Sequence, residues 1–134
     1  MLTNTDITIF NSYIDEDDNT IYSPTVIHDV NWQSEDKVTV SDKGLVSADE
    51  IKIYIPVTSL NNIEYVPRKT YNSLKDKTGY FTLKEGDKII KGEYTGAINT
   101  IKDFNKLDNV ATIISVADNR YGSISMQHFE VGGV

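Results

Sequence analysis

Apolar positions along this chain recur mostly with a spacing of two, the period of a strand with one buried and one wet face. Asp6–Ile14 (DITIFNSYI) is rich in β-branched and aromatic residues and stops at the acidic stretch Asp15–Asn19, which predicts a strand and a polar turn. Pro24 opens a second run, SPTVIHDVNW, whose alternation puts Val26, His28, Val30 and Trp32 on one face. Lys37–Val40 is predicted as a short strand, followed by a loop at Ser41-Asp42-Lys43-Gly44 in which Gly44 can supply a positive φ. Glu50–Val57 places Ile51, Ile53 and Ile55 on one face and Lys52 and Tyr54 on the other, with Pro56 marking an edge or a strand end.

The rhythm breaks from Ser59 to Thr78. Pro67 suits the first turn of a helix, where its missing N–H is not needed. Tyr71 and Leu74 have helical spacing, and Gly79 ends the segment, so residues 59–78 are predicted to be a long connection with one short helix. Tyr80–Lys84 and Lys88–Thr95 are predicted to pair as a hairpin around Glu85-Gly86-Asp87, with Phe81 and Leu83 facing inward and Ile89 or Ile90 continuing that face. Ile101, Phe104 and Leu107 predict a second short helix capped by Asn99 or Thr100. Val110–Ala117 (VATIISVA) is apolar almost throughout and predicts a strand buried on both faces. After a turn at Asp118–Gly122, Met126, His128 and Glu130 should share one face of a closing strand and Gln127, Phe129 and Val131 the other, with Gly132-Gly133 as a free tail. The fold class predicted is mainly β: a small antiparallel β-barrel or sandwich with one or two short helices and a long loop, in one domain over residues 1–134.

Composition agrees with an ordinary globular domain: 134 residues, 39% hydrophobic and 25% charged. No apolar run approaches the ~18–20 residues that span a bilayer, and MLTNTDITIF lacks the basic-then-apolar pattern of a secretory signal. The expectation is therefore folding in a bacterial-type cytosol, away from membranes. Cysteine is absent, which excludes disulfides, zinc–thiolate sites and cysteine nucleophiles. The net charge is −7, and Lys37 is the first basic residue after eight acids. Tight DNA binding draws on lysine and arginine at phosphates, so this chain should not grip DNA. An acidic surface would suit a channel through which DNA slides, and it equally serves solubility.

Candidate chemistry is sparse. Asp15, Asp17 and Asn19 match the first, third and fifth positions of a calcium loop, but Thr20 replaces its glycine and Val26 its bidentate glutamate. His128 and Glu130 are too few for a metal centre, so a hydrogen-bonded structural histidine is expected. Nucleophile elbow, P-loop and dinucleotide motifs are missing, and among twenty acids a paired-carboxylate site has no distinguishing mark. Trp32, Tyr22, Tyr54 and Tyr121 could form a sugar-stacking platform or simply pack the domain. No enzyme activity and no cofactor are expected.

Several segments together resemble a family of small structural proteins from tailed phages and prophages of Gram-positive bacteria: MLTNTDITIFN, SPTVIHDVNW, VSDKGLVSADEIKIYIP, YFTLKEGDKIIKGE and ATIISVADNRYGSISMQHFEVGG. The resemblance covers nearly the whole chain except its middle connection, and Asp118–Gly133 is the most specific part. One departure is Phe129, where the family pattern has tryptophan; an aromatic plug remains, with less area and no N–H donor.

The resemblance implies a non-enzymatic virion protein of the head–tail interface, a head-completion (stopper) or neck connector subunit assembled in the host cytoplasm. Its partners would be copies of itself in a ring and other neck, portal-adaptor or tail proteins, with DNA passing nearby. A tail-terminator is an alternative, and a stand-alone carbohydrate- or host-surface-binding module is one of a different class. Subunit contacts are expected from Arg120, Tyr121, Met126, Gln127, His128, Phe129 and Glu130, the last strand adding to a neighbouring sheet edge. Removing Ser125–Val134 should then leave a folded monomer that cannot assemble.

Overall fold

In the computed structural model residues 3–41 and 44–134 are described, with 35–41 and 44–50 described by backbone alone. The strands are β1 (Thr5–Ile14), β2 (Thr20–Ser41), β3 (Gly44–Pro56), β4 (Glu64–Tyr65), β5 (Tyr80–Phe81), β6 (Lys88–Lys91), β7 (Val110–Asn119) and β8 (His128–Gly133). One α-helix, α1 (Arg68–Ser73), and 3-10 turns at Val57–Ser59, Ile101–Lys106 and Ile124–Met126 complete the described elements. Six strands close a barrel in the order β1-β2-β3-β8-β7-β6, every neighbouring pair antiparallel. β4 and β5 form a separate parallel pair.

Alternation fills the interior. Ile7 and Ile9, Ile53 and Ile55, Ala111 and Ile113, and Phe129 and Val131 point inward two residues apart, joined by Ile27, Val30, Trp32 and Ile89. Burial of each large side chain contributes about 1.5–3 kcal/mol. A second cluster lies on the outside of β1 and β6, where Phe10 and Ile90 are covered by Phe104. Phe104 meets Phe10 and Tyr22 edge-on at 5.4 and 5.6 Å. The turn carrying Phe104 is fixed by a capping box between Thr100 and Asp103, as the sequence anticipates for Thr100.

Two bulges revise the predicted faces. Asp29 adopts φ 61°, and the β1–β2 register slips by one residue between Thr5↔Val30 and Ile7↔Ile27. Val26 and His28 therefore face out while Val30 and Trp32 face in, so these residues do not share one face. In β7 the register slips between Ile113 and Ser115, turning both Ile114 and Ser115 outward. Ile114 is 49% exposed, so Val110–Ala117 is a barrel strand with one wet face rather than a strand buried on both. Pro24 lies inside β2, opposite Phe10, instead of opening it. Pairing with β3 begins only at Asn31, so the edge that lacks an N–H at Pro24 is not in a ladder.

Tyr80–Lys84 does not pair with Lys88–Thr95. β6 spans only Lys88–Lys91 and has both edges taken, by β1 and β7, so no edge remains for β5, which joins β4. The Glu85–Asp87 turn does form, with Gly86 at φ 93°. The connection 57–87 caps one mouth of the barrel, sending Phe81 and Leu83 into the core with Val57, Leu60, Ile63 and Tyr65 packed behind them. Its helix follows Pro67 as expected but ends at Ser73, before Gly79, and buries Tyr71 against Tyr13.

This cap is tied down by a buried polar group. Asn11 donates from Nδ2 to the Thr82 carbonyl at 2.7 Å and to Asp87 Oδ2 at 3.0 Å, and accepts the Thr82 N–H at 3.1 Å. Asp87 Oδ1 accepts the Ser12 hydroxyl at 2.8 Å and lies 3.4 Å from Lys84 Nζ, which also donates to the Ser12 carbonyl at 2.8 Å. Asp87 is buried with its charge paired and hydrogen-bonded, the condition under which a buried carboxylate is tolerated.

The closing strand departs most from expectation. β8 begins at His128, so Met126 lies in the preceding 3-10 turn and not on the strand. Phe129, Val131 and Gly133 face inward and His128, Glu130 and Gly132 outward, preserving the predicted alternation. Gly132-Gly133 is no free tail. β8 sits between β3 and β7, and Val134 exchanges both backbone hydrogen bonds with Thr112 at 3.0 and 3.1 Å. A Cβ on Gly133 would stand 3.0 Å from the Thr112 carbonyl, and one on Gly132 would collide with the Ser115 hydroxyl. Both edges of β8 are occupied, so it has no edge to add to a neighbouring sheet, and removing Ser125–Val134 takes a strand out of the barrel wall.

Three outcomes follow for stability. Truncation after Gln127 should abolish the cooperative thermal transition followed by circular dichroism, and Gly133→Val should destabilise by about 1–3 kcal/mol in urea unfolding. Asp87→Ala should cost about 3 kcal/mol, near the low end for a broken buried pair because Lys84 keeps some access to water. A loss under 1 kcal/mol, a surface-pair value, would refute the structural role given to Asp87.

Candidate interaction surface

Residues 120–127 link β7 to β8 at the same end of the barrel as the cap, since the β3 and β7 strands both finish there. Asp118 fixes the start of this loop through a two-pronged contact: Arg120 Nε to Oδ1 at 2.8 Å and Nη2 to Oδ2 at 2.7 Å. The guanidinium lies 5.0 Å from the Phe129 ring centre and 5.5 Å from that of Tyr65. The Arg120 hydrogen bond holds the Asp118 carboxyl below its usual range, and burial raises the Tyr65 hydroxyl. Gly122 takes φ 76°, its carbonyl accepts Gln127 Nε2 at 3.1 Å, and the Gln127 carbonyl accepts the Val57 N–H at 3.0 Å. The loop is therefore braced from within.

What it leaves outside is apolar: Tyr121, Ile124 and Met126 are 77%, 65% and 66% exposed. The seven predicted contact residues thus divide. Tyr121 and Met126 are free for a partner. Arg120 and Gln127 hold the loop, while Phe129 is a core residue with no exposed surface. His128 rests on Tyr54 with ring centres 5.8 Å apart, its Nδ1 3.0 Å from the Met126 carbonyl and its Nε2 3.4 Å from Asn119 Nδ2. Glu130 lies 3.9 Å from Lys52, a half-exposed pair worth little by itself. Ile124, between two serines in a polar turn, was not singled out from the sequence.

A second feature projects from the opposite end. β2 and β3 continue to pair from Glu35↔Glu50 to Ser41↔Gly44, seven rungs beyond the barrel wall. β1 stops pairing at Thr5↔Val30 and β8 at Ile51↔Gly133. Asn4 covers the first exposed step of β2, accepting the Trp32 N–H at 2.9 Å and donating to the Trp32 carbonyl at 2.9 Å. Past that point no other strand among the described residues joins the ribbon, an arm about 23 Å long at ~3.3 Å per residue. The predicted short strand Lys37–Val40 is the outer part of this 22-residue β2. Of the predicted loop Ser41–Gly44, Ser41 and Gly44 pair on the strands, and Asp42 and Lys43 lie outside the described residues.

The remaining candidates have local uses. Asp15 Oδ1 accepts the N–H groups of Asp17 and Asn19, each at 2.9 Å, which closes the acidic turn on itself. Among the described residues no group of three or more His, Cys, Asp or Glu side chains is placed to hold a metal. Trp32 is in the core, Tyr22 meets Phe104 edge-on and Tyr54 is tilted against His128, so the four aromatics do not form one platform. No helix among the described residues is long and apolar enough to cross a membrane. Beside the β2 bulge, Asp6 Oδ1 accepts the Asp29 N–H at 3.0 Å and Asp6 Oδ2 lies 3.2 Å from His28 Nδ1.

The chain belongs to DUF6751, a family of unknown function, whose model matches residues 2–134 and so spans barrel, arm and loop together. Nothing among curated proteins or solved structures matches it. The Asp6–His28 contact offers a direct check on the geometry around the bulge. Hydrogen bonding to Asp6, then the Asp6 charge and those of Glu93 and Asp29, raise the His28 pKa above 6.5. Asp6 is lowered from 3.8, first by the Asp29 N–H and then by His28. The histidine contribution is complete below its unfolded value and lost as pH rises through the folded one. The aspartate contribution is complete above its unfolded value and lost as pH falls through the folded one. The pair is at full strength between 3.8 and 6.5. In Asp6→Asn the His28 ring, followed by proton NMR, should titrate lower than in the parent; an unchanged midpoint would mean that the pair does not form in solution.

Proposed function

We propose that this chain is a non-enzymatic structural subunit of the tailed-phage head–tail interface, a head-completion (stopper) or neck connector protein that works as copies in a ring. The observation that carries the reading is the arm: a two-stranded ribbon leaving a closed barrel, with no further partner strand among the described residues. An isolated two-stranded ribbon is marginal in water, so an arm of this length makes physical sense when another subunit receives it. The apolar loop at the opposite end is a second surface of the same kind. The resemblance of its segments to neck proteins supplies the setting, and a net charge of −7 suits a protein past which DNA must move without sticking.

The reading places portal-adaptor and tail proteins above and below the ring, with assembly in the host cytoplasm before incorporation into the virion. Co-expression with phage portal and tail-tube proteins should yield ring-sized complexes, with mass measured by light scattering and position by electron microscopy. Association with the tail tube alone would move the assignment to a tail-terminator. Failure to join either partner, together with saturable glycan binding, would replace it with a surface-binding module.

A further inference from the structure

We infer that the arm of one copy docks on the capped mouth of a second copy, head to tail. This deepens the ring-subunit reading and rests on it for the existence of an assembly, but not for any position in the virion.

The arm and the capped mouth are at opposite ends of the barrel. β2 leaves toward the arm, whereas β3 and β7 finish at the cap and the 120–127 loop. One molecule therefore cannot cover its own loop with its own arm. Charge selects between the two ways of using a second copy. Residues 35–50 hold five acids against two lysines, a net −3, and the rungs at the arm root place Glu35 opposite Glu50 and Asp36 opposite Asp49. Like charges on facing positions are unfavourable, and pairing two such arms edge to edge would bring the same acids together again.

One stretch of the cap offers the opposite sign, within a connection 57–87 that is +1 as a whole (five basic residues against four acids) and lies at the same end as the acidic turn Asp15–Asp18. Residues 68–77 hold four basic side chains against one acid, a net +3. Lys77 is occupied by the Tyr13 ring at 4.4 Å and the Leu74 carbonyl at 2.7 Å. Arg68, Lys69 and Lys75 are exposed and form no ion pair with the described residues. Tyr65 links this stretch to the apolar loop: it lies three residues before Arg68 and its ring faces Arg120. Basic side chains and the exposed Tyr121, Ile124 and Met126 thus belong to one end of the molecule. Such a contact is heterologous, joining unlike patches, and repeats into a ring or a stack.

Sedimentation of the full chain tests the contact. The wild-type protein should self-associate. Replacing residues 35–50 with an Asn-Gly turn between Ser34 and Ile51, which face each other in the register, should leave the barrel folded by circular dichroism and monomeric. The triple change Arg68→Glu, Lys69→Glu, Lys75→Glu should weaken association by about tenfold or more. Mixing the armless and triple-changed proteins should give a complex of two copies that grows no further, since one keeps the docking face and the other the arm. Adding Glu35→Lys, Asp36→Lys, Asp49→Lys and Glu50→Lys to the triple change should restore association. A wild-type chain that stays monomeric at millimolar concentration overturns the proposal, as does an armless chain that associates like the parent. A mixture that does not pair overturns it too. Arm-dependent multimers that ignore portal and tail-tube proteins would instead sink only the virion assignment.

Discussion

Closure of the barrel by β8 is the constraint on which the rest of the molecule depends. Each barrel strand needs a neighbour on both sides, and the six residues His128–Gly133 supply the neighbour that both β3 and β7 lack. The fit is close enough that side chains are excluded where it matters. Gly132 lies against Ser115 at the β7 bulge, and Gly133 lies against the Thr112 carbonyl. In a strand interior glycine ordinarily weakens packing; here it permits two backbones to approach where a Cβ would separate them. With β8 in place, Phe129 and Val131 complete the core from the side opposite β1.

Closure also decides where interactions with other molecules can occur. A barrel has no edge to offer, so strand addition to its wall is blocked. Among the described residues, strand edges without a partner strand include both edges of the β2–β3 ribbon beyond Ser34 and Ile51 and the β3-facing edge of β2 before Asn31. The capped mouth is equally settled: Phe81 and Leu83 fill it from above, and Asn11 and Asp87 lock the segment that carries them. Rigid wall and anchored cap hold the β2–β3 ribbon and the exposed 120–127 loop at opposite ends of the barrel.

Much of this was legible in the sequence. Enrichment in β-branched and aromatic residues located β1, and period-two alternation located the barrel part of β3 and the faces of β8, which alternate without interruption. Of the two caps the sequence offered, Asn99 and Thr100, the fold uses Thr100. Parity failed in β2 and β7, where one extra residue flips every side chain beyond it; Asp29 and Ile114 carry no mark that distinguishes a bulge from ordinary strand. Non-local pairing was the other failure. Tyr80–Lys84 reads as the partner of Lys88–Lys91 by proximity, yet both edges of β6 were taken by strands distant in sequence. The contact surface was half visible: Tyr121 and Met126 are free, but Phe129 proved to be core because a barrel strand looks the same as an edge strand in isolation. Ribbon continuity was hidden by the polar run Gln33–Asp36, which separates SPTVIHDVNW from the short strand Lys37–Val40 until its register with Lys52 and Glu50 is known.

The fold also redistributes the acidity of the first thirty-six residues, which along the sequence reads as one block. Asp6 contacts His28 on the barrel wall, Asp15 folds back on its own turn, and Asp29 occupies the bulge, where its carbonyl accepts the Ser59 hydroxyl at 2.7 Å. Glu35 and Asp36 lie at the root of the arm, at the other end of the barrel from Asp15–Asp18. The charge therefore marks two separated regions and is not a single wall. A uniform acidic face would act mainly through long-range repulsion, which salt screens over about 8–10 Å. Acids concentrated at the root of a ribbon act at contact distance, where their effect depends on which side chains a partner brings.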